Sequence, residues 1–409
     1  MTKLSHWSAI VLVGFCSLPL HVIAAEPTQP QALDRFSNPL ELKTPDPLLP
    51  GGLNRPLSEA EKQTLRAALD QLNNEASAKL SSGDTLGAFN IWNRELRLRR
   101  ALGLLEEVQA LGRVGNIAWV QNQSVQLRFI TNRLSAIQAQ LQQPLKNQVT
   151  LPERSQILPA LGIAFQQVRS PGLALNVYQQ MLTEARSRQD AAAELNLLNT
   201  IGQLHLSWFD YPKAIATYTE LLNLAKSRND AANVELNLVQ LAYVHEQANQ
   251  PAQAATFQQQ LIDRYQTNPQ QALFVAPLKI RQADNFTASK QLDAAERTYR
   301  EAFEVAQPLG QLAYASDALQ KLGALYRSNN RLDAALQVYE YLASVQQQAY
   351  DSFGVMEAYD QIGQIQLQRK AATEATNAFR QGLEIANRLN FKDRVDYFTE
   401  QIQKIQASR

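Results

Sequence analysis

Apolar residues recur with a helical period along most of the chain, and their pattern repeats from one segment to the next. The clearest copy is Leu322-Gly323-Ala324-Leu325-Tyr326, followed by Ala335 and then Tyr339. Apolar positions three and four residues apart place one face of a helix in a core. A small residue lets two helices approach closely, and aromatic residues fill the space beside it. This segment therefore predicts a pair of helices packed against each other.

The same pattern returns with a period of 40 or 41 residues. The small residue of the first helix has six copies, at Gly162, Gly202, Ala242, Ala283, Gly323 and Gly363. The small residue of the second helix follows 12 residues later each time, at Ala174, Ala214, Ala254, Ala295, Ala335 and Ala375. An aromatic residue comes four positions after it in every copy except the third, which has Gln258. A fixed period of this length predicts a solenoid in which each helix pair packs on its neighbours.

These residues resemble the tetratricopeptide repeat (TPR) family. Leu161-Gly162, Leu322-Gly323 and Ile362-Gly363 match its Leu-Gly pair, although the usual period of the family is about 34 residues. The resemblance implies an all-α fold, a right-handed superhelical solenoid of antiparallel helix pairs. It also implies that the first helices line a concave groove that binds proteins or peptides. We therefore expect six TPR-like repeats over residues 151–390.

Less regular helical segments flank the six repeats. Residues 58–150 carry two divergent TPR-like helix pairs, and the first helix starts with a capping box formed by Ser58 and Glu61. Residues 391–409 form a predicted C-terminal capping helix. Its apolar stripe consists of Phe391, Val395, Phe398, Ile402 and Ile405. Such a helix would cover the open apolar face of the last repeat.

The N-terminal part of the chain is predicted to lie outside the repeats. Lys3 precedes an apolar run from Trp7 to Leu20, and small residues come before Glu26, so residues 1–25 are typical of a secretory signal peptide. A retained anchor is the alternative, although the run is short for a bilayer span. Residues 26–57 are rich in proline and predict an extended tether, with disorder or a docking arm as alternatives. We expect a bacterial protein that is periplasmic or secreted, with no transmembrane segment in the mature chain.

Composition narrows the choice of partner. The chain has 409 residues, of which 45% are hydrophobic and 19% charged, and its formal net charge is +1. This balance favours neither nucleic acid nor an acidic membrane surface as the partner. Removal of the signal peptide would also remove Cys16, the only cysteine, and with it any disulfide or thiol chemistry.

Candidate catalytic and metal-binding residues are scarce. The sequence contains no phosphate-binding loop and no nucleophile elbow. Beyond the signal peptide its only histidines are His205 and His245, at equivalent positions of neighbouring repeats. Packed helices lie about 10 Å apart, too far for both rings to bind one tetrahedral ion, so we expect both histidines to pack in the core. The sequence predicts no enzyme, no cofactor and no metal site.

The resemblance implies which side chains face the concave groove. In the family these are the residues that flank the small position of the first helix. The corresponding residues here are Asn199, Gln203, Tyr243, Glu246, Asp284, Gln320, Arg327, Glu357, Asp360 and Gln364. A groove rich in amides and mildly acidic suits hydrogen bonding to an extended or helical peptide; a groove that is merely solvated is the alternative. It lacks the basic and asparagine residues with which chaperone-binding relatives hold a C-terminal carboxylate.

A second candidate surface lies in the early helices, where arginine outnumbers acidic residues. Its members are Arg94, Arg97, Arg99, Arg100, Arg113, Arg128 and Arg133. An arginine-rich surface could bind an acidic protein or lipid head groups, with a solvated helix face as the alternative.

These observations favour an exported, non-enzymatic scaffold or adaptor that binds proteins or peptides through its concave groove. The alternative is a periplasmic assembly factor for a membrane complex. Exported repeat proteins rich in Gln and Asn resemble such factors of cyanobacteria, some of which help to build photosynthetic complexes and handle manganese. An enzyme with an unrecognised site is the third hypothesis.

Overall fold

A computed structural model describes residues 38–43, 45–50, 56–142 and 151–407, without the side chains of residues 151 and 152. The predicted signal peptide at 1–25 lies outside these residues, as does the beginning of the predicted tether. Within the described ranges the regular structure is helical, and one isolated β-bridge joins Asp46 and Leu49. None of the helices in these ranges is both long enough and apolar enough to cross a membrane.

Seventeen α-helices make up the described part of the chain. They are α1 (Glu59–Ser81), α2 (Thr85–Arg99), α3 (Leu104–Val120), α4 (Ser124–Gln142), α5 (Leu151–Gln167), α6 (Pro171–Ser187), α7 (Ala191–Ser207), α8 (Tyr211–Ser227), α9 (Ala231–Gln247), α10 (Pro251–Gln266), α11 (Val275–Ala288), α12 (Leu292–Ala306), α13 (Leu312–Ser328), α14 (Leu332–Gln348), α15 (Ser352–Gln368), α16 (Ala372–Arg388) and α17 (Lys392–Ala407). The chain divides into two compact units, Met1–Ala110 and Leu111–Arg409.

In the first unit, α1 packs on α2. The capping box at the start of α1 is present, because Ser58 Oγ accepts from the Glu61 N–H at 3.3 Å and Glu61 Oε2 accepts from the Ser58 N–H at 2.8 Å. Trp92 is fully buried, and its indole Nε1 donates to Asn73 Oδ1 at 3.0 Å. The two helices thus share a core with a satisfied polar group inside it.

The structure corrects the expectation of an extended tether for residues 38–43 and 45–50. Asn38 caps a short 3-10 turn at Pro39–Glu41, and this turn packs on α2. Leu40 is 1% exposed and Leu49 is 6% exposed. Proline content predicts extended backbone, but these two leucines bury enough apolar surface to hold the segment against the helices.

The second unit is an all-α solenoid of antiparallel helix pairs. From α5 to α17 each helix packs on the one before it and the one after it, which confirms the fold class. The glycines of the repeat are contact points, as predicted: a Cβ on Gly323 would lie 2.8 Å from Cε2 of Tyr339, and one on Gly363 would lie 2.4 Å from Cε1 of Phe379. A tyrosine or phenylalanine ring therefore occupies the space that the missing side chain leaves.

The turns between helices use residues with positive φ. In the turns that follow α7 and α14, Phe209 has φ 60° and Tyr350 has φ 58°. The next residue closes each turn, as where the Asp210 N–H donates to the His205 carbonyl at 2.9 Å. This is the left-handed helix ending that glycine or asparagine usually supplies. Both aromatic side chains are nevertheless exposed, Phe209 at 75% and Tyr350 at 94%.

The last helix, α17, lies against the final repeat. Phe398 and Ile405 are buried in a core with residues of α15 and α16. Phe391, which the apolar stripe includes, is 38% exposed and lies before the helix, with its ring centroid 6.0 Å from that of Phe353. The stripe is therefore correct within the helix, and it begins at Val395, about one turn later than the sequence suggests.

Candidate binding surface on the first helices

The two histidines pack in the core, as their positions in the repeat predict. Both are 7% exposed. Burial lowers the pKa of His205, whose Nδ1 lies 3.6 Å from Asp210 Oδ2. His245 Nδ1 lies 2.7 Å from Gln250 Oε1, and its ring stacks on Phe257 at 5.2 Å. In the ranges that the structure covers, no three His, Cys, Asp or Glu side chains are grouped so that they could hold a metal ion.

The first helices of successive repeats, α7, α9, α11, α13 and α15, together with α17, form what we call the first-helix surface. Ion pairs cross it between three pairs of neighbouring helices. Arg281 donates to Glu246 at 2.6 Å, Lys321 to Asp284 at 3.0 Å, and Arg394 to Asp360 at 3.0 Å. These bonds join α9 to α11, α11 to α13, and α15 to α17. They neutralise the acidic character that the sequence assigns to this region.

Further predicted groove residues are engaged in the same way. Arg327 Nη1 donates to Gln361 Oε1 at 2.6 Å, which joins α13 to α15. Glu357 pairs with Arg394 at 2.7 Å, and burial raises the pKa of Glu357. Gln364 Nε2 donates to the Tyr397 hydroxyl at 2.9 Å. These side chains hold neighbouring repeats together.

Tyr397 couples to the same cluster on α15. Its hydroxyl donates to Asp360 Oδ1 at 2.8 Å. Burial, together with this bond to a carboxylate, raises the pKa of Tyr397 to about 12. The hydroxyl is therefore a fixed hydrogen-bond donor at neutral pH.

The remaining predicted residues make no side-chain hydrogen bond to any described residue. They are Asn199, Gln203, Tyr243 and Gln320. Gln203 and Gln320 are exposed, Asn199 is half-buried, and Tyr243 is 41% exposed. These polar groups on α7, α9 and α13 are the ones that the surface leaves for a ligand.

A cavity of about 460 Å³ opens on this surface at the third repeat. Its walls are mostly apolar and come from α9, α10, α11 and the turn before α11. They include Val239, Tyr243, Leu261, Phe274, Leu278 and Arg281. Val239 is 42% exposed and Phe274 is 57% exposed, so the apolar lining is open to solvent. A cavity of this size and polarity falls in the range of ligand-binding pockets.

The cavity lies where the repeat departs from its pattern. Gln258 occupies the position of the aromatic residue and is 1% exposed. Its Nε2 donates to Glu246 Oε1 at 2.8 Å, and its Oε1 accepts from Asn285 Nδ2 at 3.0 Å. Asn285 Nδ2 also donates to Glu246 Oε1, at 2.9 Å. Gln258, which lines the cavity, thus belongs to a closed polar network at the position where the other repeats have an aromatic ring.

Sequence reasoning placed Tyr243 and Glu246 in this region but missed the apolar wall. Val239 occupies the position that Asn199 and Gln320 hold in their repeats but is apolar, and Leu278 and Phe274 have no counterpart among the predicted groove residues. One feature of the sequence indicates the cavity, namely Gln258 at a position where the other repeats have an aromatic residue. No aromatic ring fills the core at this position.

The predicted arginine surface is largely satisfied within the chain. In the first unit Arg99 is buried and bonds to Glu95 at 3.0 Å, Glu106 at 2.9 Å and Asp70 at 2.5 Å. Arg94, Arg97 and Arg100 contact residues of the 38–50 segment. In the second unit Arg128 lies over the ring of Phe129 at 5.7 Å, and Arg113 and Arg133 also have partners. The structure therefore corrects the idea of a freely solvated arginine face.

Comparison with known proteins gives structural likenesses only. No protein-family model and no curated protein matches the chain. Apo RapI shares 12% identity over 73% of this chain and 86% of its own, with a TM-score of 0.42. BtubC (BKLC) from P. vanneervenii shares 20% identity over 53% of this chain and 91% of its own, with a TM-score of 0.37.

A third likeness is to a putative kinesin light chain of Podosopora anserina with nearly identical TPR-like repeats. It shares 12% identity over 48% of this chain and 96% of its own, with a TM-score of 0.35. The structural neighbours are TPR-like repeat proteins. The assignment of the fold rests on the helix pairs themselves, and these likenesses add no function to it.

Proposed function

We propose that the protein is an exported, non-enzymatic scaffold that binds a polypeptide segment on its first-helix surface. The cavity at the third repeat carries this proposal. Its walls are mostly apolar, its lining includes the hydrogen-bonded amide of Gln258, and Tyr243 in the same lining makes no side-chain hydrogen bond to a described residue. An apolar side chain of the partner would fill it, as anchor residues do at the centre of protein interfaces.

Polar residues of the first-helix surface favour a polypeptide as the ligand. Gln203 on α7 and Gln320 on α13 each carry one amide, which both donates and accepts hydrogen bonds. A peptide backbone presents the same two groups along its length. Tyr243, at the edge of the cavity, adds a hydroxyl and an exposed ring face. The arrangement suits one apolar anchor with backbone contacts on either side.

A manganese-binding assembly factor is the narrower alternative, and the ion pairs argue against its metal component here. Glu246, Asp284 and Asp360 each bond to an arginine or lysine. A divalent cation at any of them would have to displace a side-chain cation that already satisfies the carboxylate. We therefore favour a polypeptide over a metal ion on this surface. The partner itself can still belong to a membrane complex.

Export remains part of the proposal because of the predicted signal peptide. Mass spectrometry of the protein from its native host tests it, and a mature N-terminus at or near Glu26 is expected. An N-terminus at Met1 or Thr2 in the purified protein would refute cleavage.

Selection of peptides from a random displayed library tests the binding site. Peptides selected on the unmodified protein should bind at least tenfold more weakly to two variants. Val239→Asp places a charge in the apolar wall, and Tyr243→Ala removes part of that wall. Gln253→Glu, on the exposed side of α10, is the matched control and should leave affinity unchanged. Peptides that bind all three variants equally would refute the cavity as the site.

A further inference from the structure

The segment from residue 38 to residue 50 lies on α2 in the way that a bound peptide would. We call its described residues, 38–43 and 45–50, the strap. Two backbone hydrogen bonds lie within it, from the Glu41 N–H to the Asn38 carbonyl at 3.0 Å and from the Leu49 N–H to the Asp46 carbonyl at 2.9 Å. Side chains make the contacts to α2. Leu40 and Leu49 are its buried anchors.

Three arginines, spaced three residues apart, donate hydrogen bonds to polar groups of the strap. Arg94 holds both oxygens of Asp46, with Nε to Oδ2 at 2.7 Å and Nη2 to Oδ1 at 2.8 Å. Arg97 Nη1 donates to the Pro39 carbonyl at 2.8 Å. Arg100 Nη2 donates to Glu41 Oε1 at 3.0 Å. Arg94 and Arg97 share one face of α2, and Arg100 follows them in the 3-10 turn at the end of α2; we call the three the arginine face. Arg100 Nε also pairs with Glu107 Oε1 of α3 at 3.1 Å.

The arginine face is distinct from the arginine that holds the two helices together. Arg99 bonds to carboxylates of α1, α2 and α3, and none of these three ion pairs involves the strap. By contrast, the bonds of Arg94 and Arg97 named above go to the strap. Burial lowers the pKa of Arg97, and the charges of Arg100 and Arg94 lower it further. Three neighbouring cations with these environments favour an anionic ligand.

We propose that the arginine face of α2 is a binding site for an acidic peptide with apolar anchors, and that the strap occupies this site in cis. The chemistry of the partner is that of the strap itself: a leucine followed by a glutamate, then an aspartate and a second apolar residue. A segment of this kind in another protein displaces the strap. This site lies in the first unit and is independent of the cavity in the second.

A second cavity indicates how a partner would compete. A space of about 340 Å³ lies beside Leu49 and is lined by Leu48, Pro50, Leu57, Thr64 and Leu65. A larger apolar residue at the position of Leu49 would fill more of it and bury more surface. The strap is covalently attached to its site, so its effective concentration there is in the millimolar range. The larger apolar residue of a partner would offset this advantage of the strap.

Fluorescence anisotropy with a labelled synthetic peptide of residues 38–50 tests the proposal in the full chain. The receptor is a released variant, Glu41→Lys with Asp46→Lys, whose strap no longer matches the arginines. We expect the peptide to bind this variant at least tenfold more tightly than the unmodified protein, because the site is no longer occupied in cis. Equal binding to the two proteins would overturn the proposal.

A charge exchange identifies the contact. The receptor here is a neutral released variant, Glu41→Ala with Asp46→Ala, because a lysine at position 46 of the strap would pair in cis with the new glutamate. Adding Arg94→Glu to it should weaken binding of the unmodified peptide about tenfold, the usual scale for a charge-assisted bidentate pair. A peptide that carries Asp46→Lys should then recover the affinity. Arg297→Glu, an exposed arginine on α12, is the matched control and should have no effect. Failure of the exchange to restore binding would mean that Arg94 does not recognise the aspartate.

Two further measurements complete the test. The first uses the unmodified protein, so that it does not depend on folding of the released variant, and the second tests whether the ligand is a lipid. In the unmodified protein, excess peptide with Leu49→Phe should speed hydrogen exchange at the Glu41 and Leu49 amides, because the strap leaves the site. Unchanged exchange at saturating peptide would overturn the proposal. Vesicles with anionic head groups should not bind the released variant; binding of vesicles without binding of peptide would assign the arginine face to lipid instead.

Discussion

Gln258 Nε2 donates to Glu246 Oε1 at 2.8 Å from a position where five of the six repeats place an aromatic ring. In four of those repeats the small residue of the first helix is a glycine, and the ring of the second helix packs against it. In the third repeat the amide bonds to the first helix of its own repeat and, through Asn285, to that of the next. A single substitution in the pattern thus replaces a packing contact by a polar one and leaves a cavity beside it.

Gln258→Leu should destabilise the second unit by about 1–3 kcal/mol, because Glu246 and Asn285 each lose a buried hydrogen-bond partner while the volume changes little. The measurement is the free energy of unfolding from urea denaturation. Gln253→Leu, on the exposed side of the same helix, should change it by less than about 0.5 kcal/mol. A loss at position 258 no larger than that at position 253 would contradict the role of the network.

Gly323→Ala should cost about 1–3 kcal/mol, because its Cβ would lie 2.8 Å from the ring of Tyr339. Gly172→Ala, near the start of α6, is the matched control: a Cβ there meets nothing within 4 Å, and alanine favours a helix over glycine by up to about 1 kcal/mol. The two substitutions should therefore change the free energy of unfolding in opposite directions. The same sign for both would show that the contact with Tyr339 does not decide the effect.

The solenoid could be predicted because its contacts are encoded at fixed short spacings. Gly323 and Tyr339 touch, and the sequence displays both at the same interval in other repeats. The histidines follow from the same logic, since their places in the repeat are packing positions. The sequence also names residues for the groove, and of these Asp284, Arg327 and Asp360 bond to neighbouring helices. Their partners lie 34 to 37 residues away, and no local pattern reveals such pairs.

The cavity and the strap could not be predicted for related reasons. The cavity lies beside Gln258, which bonds to Glu246 of its own repeat and to Asn285 of the next. In the strap the prolines dominate the pattern and predict extended backbone. Its attachment depends on Leu40 and Asp46, which meet α2 only after the chain has folded. In both places the contacts that determine the structure join residues that are distant in sequence, and these contacts do not recur in the other repeats.

Tyr350→Gly should stabilise the protein by about 1 kcal/mol. Tyr350 has φ 58°, a backbone conformation that is strained for residues other than glycine. Its side chain is 94% exposed, so removing the ring loses almost no buried surface. Asn390→Gly at the equivalent turn of the next repeat, with φ 53°, should gain less, because asparagine tolerates this conformation. Urea denaturation of both variants compares the two. A destabilised Tyr350→Gly would indicate that the ring makes a stabilising contact.

The Asp46 ion pair should make attachment of the strap depend on pH. The hydrogen bond from Arg94 holds the pKa of Asp46 below its ordinary value of 3.8. A carboxyl group whose pKa is lower in the folded than in the unfolded protein stabilises the folded state. This stabilisation is fully present above the pKa of the unfolded state, near pH 4, and is lost as the pH falls through the pKa of the folded state. Asp46→Asn should therefore lower protection of the Leu49 amide from hydrogen exchange at pH 6, by roughly the 1 kcal/mol of one partly exposed pair.

As the pH falls below 4, the difference between the two proteins should shrink toward zero, because the unmodified aspartate also becomes neutral. Glu59→Gln is the control: Glu59 pairs with Lys62 on the exposed first turn of α1, outside the strap, and its substitution should leave protection of the Leu49 amide unchanged at every pH. A difference between Asp46→Asn and the unmodified protein that persists undiminished at pH 2.5 would mean that the charge of Asp46 does not hold the strap.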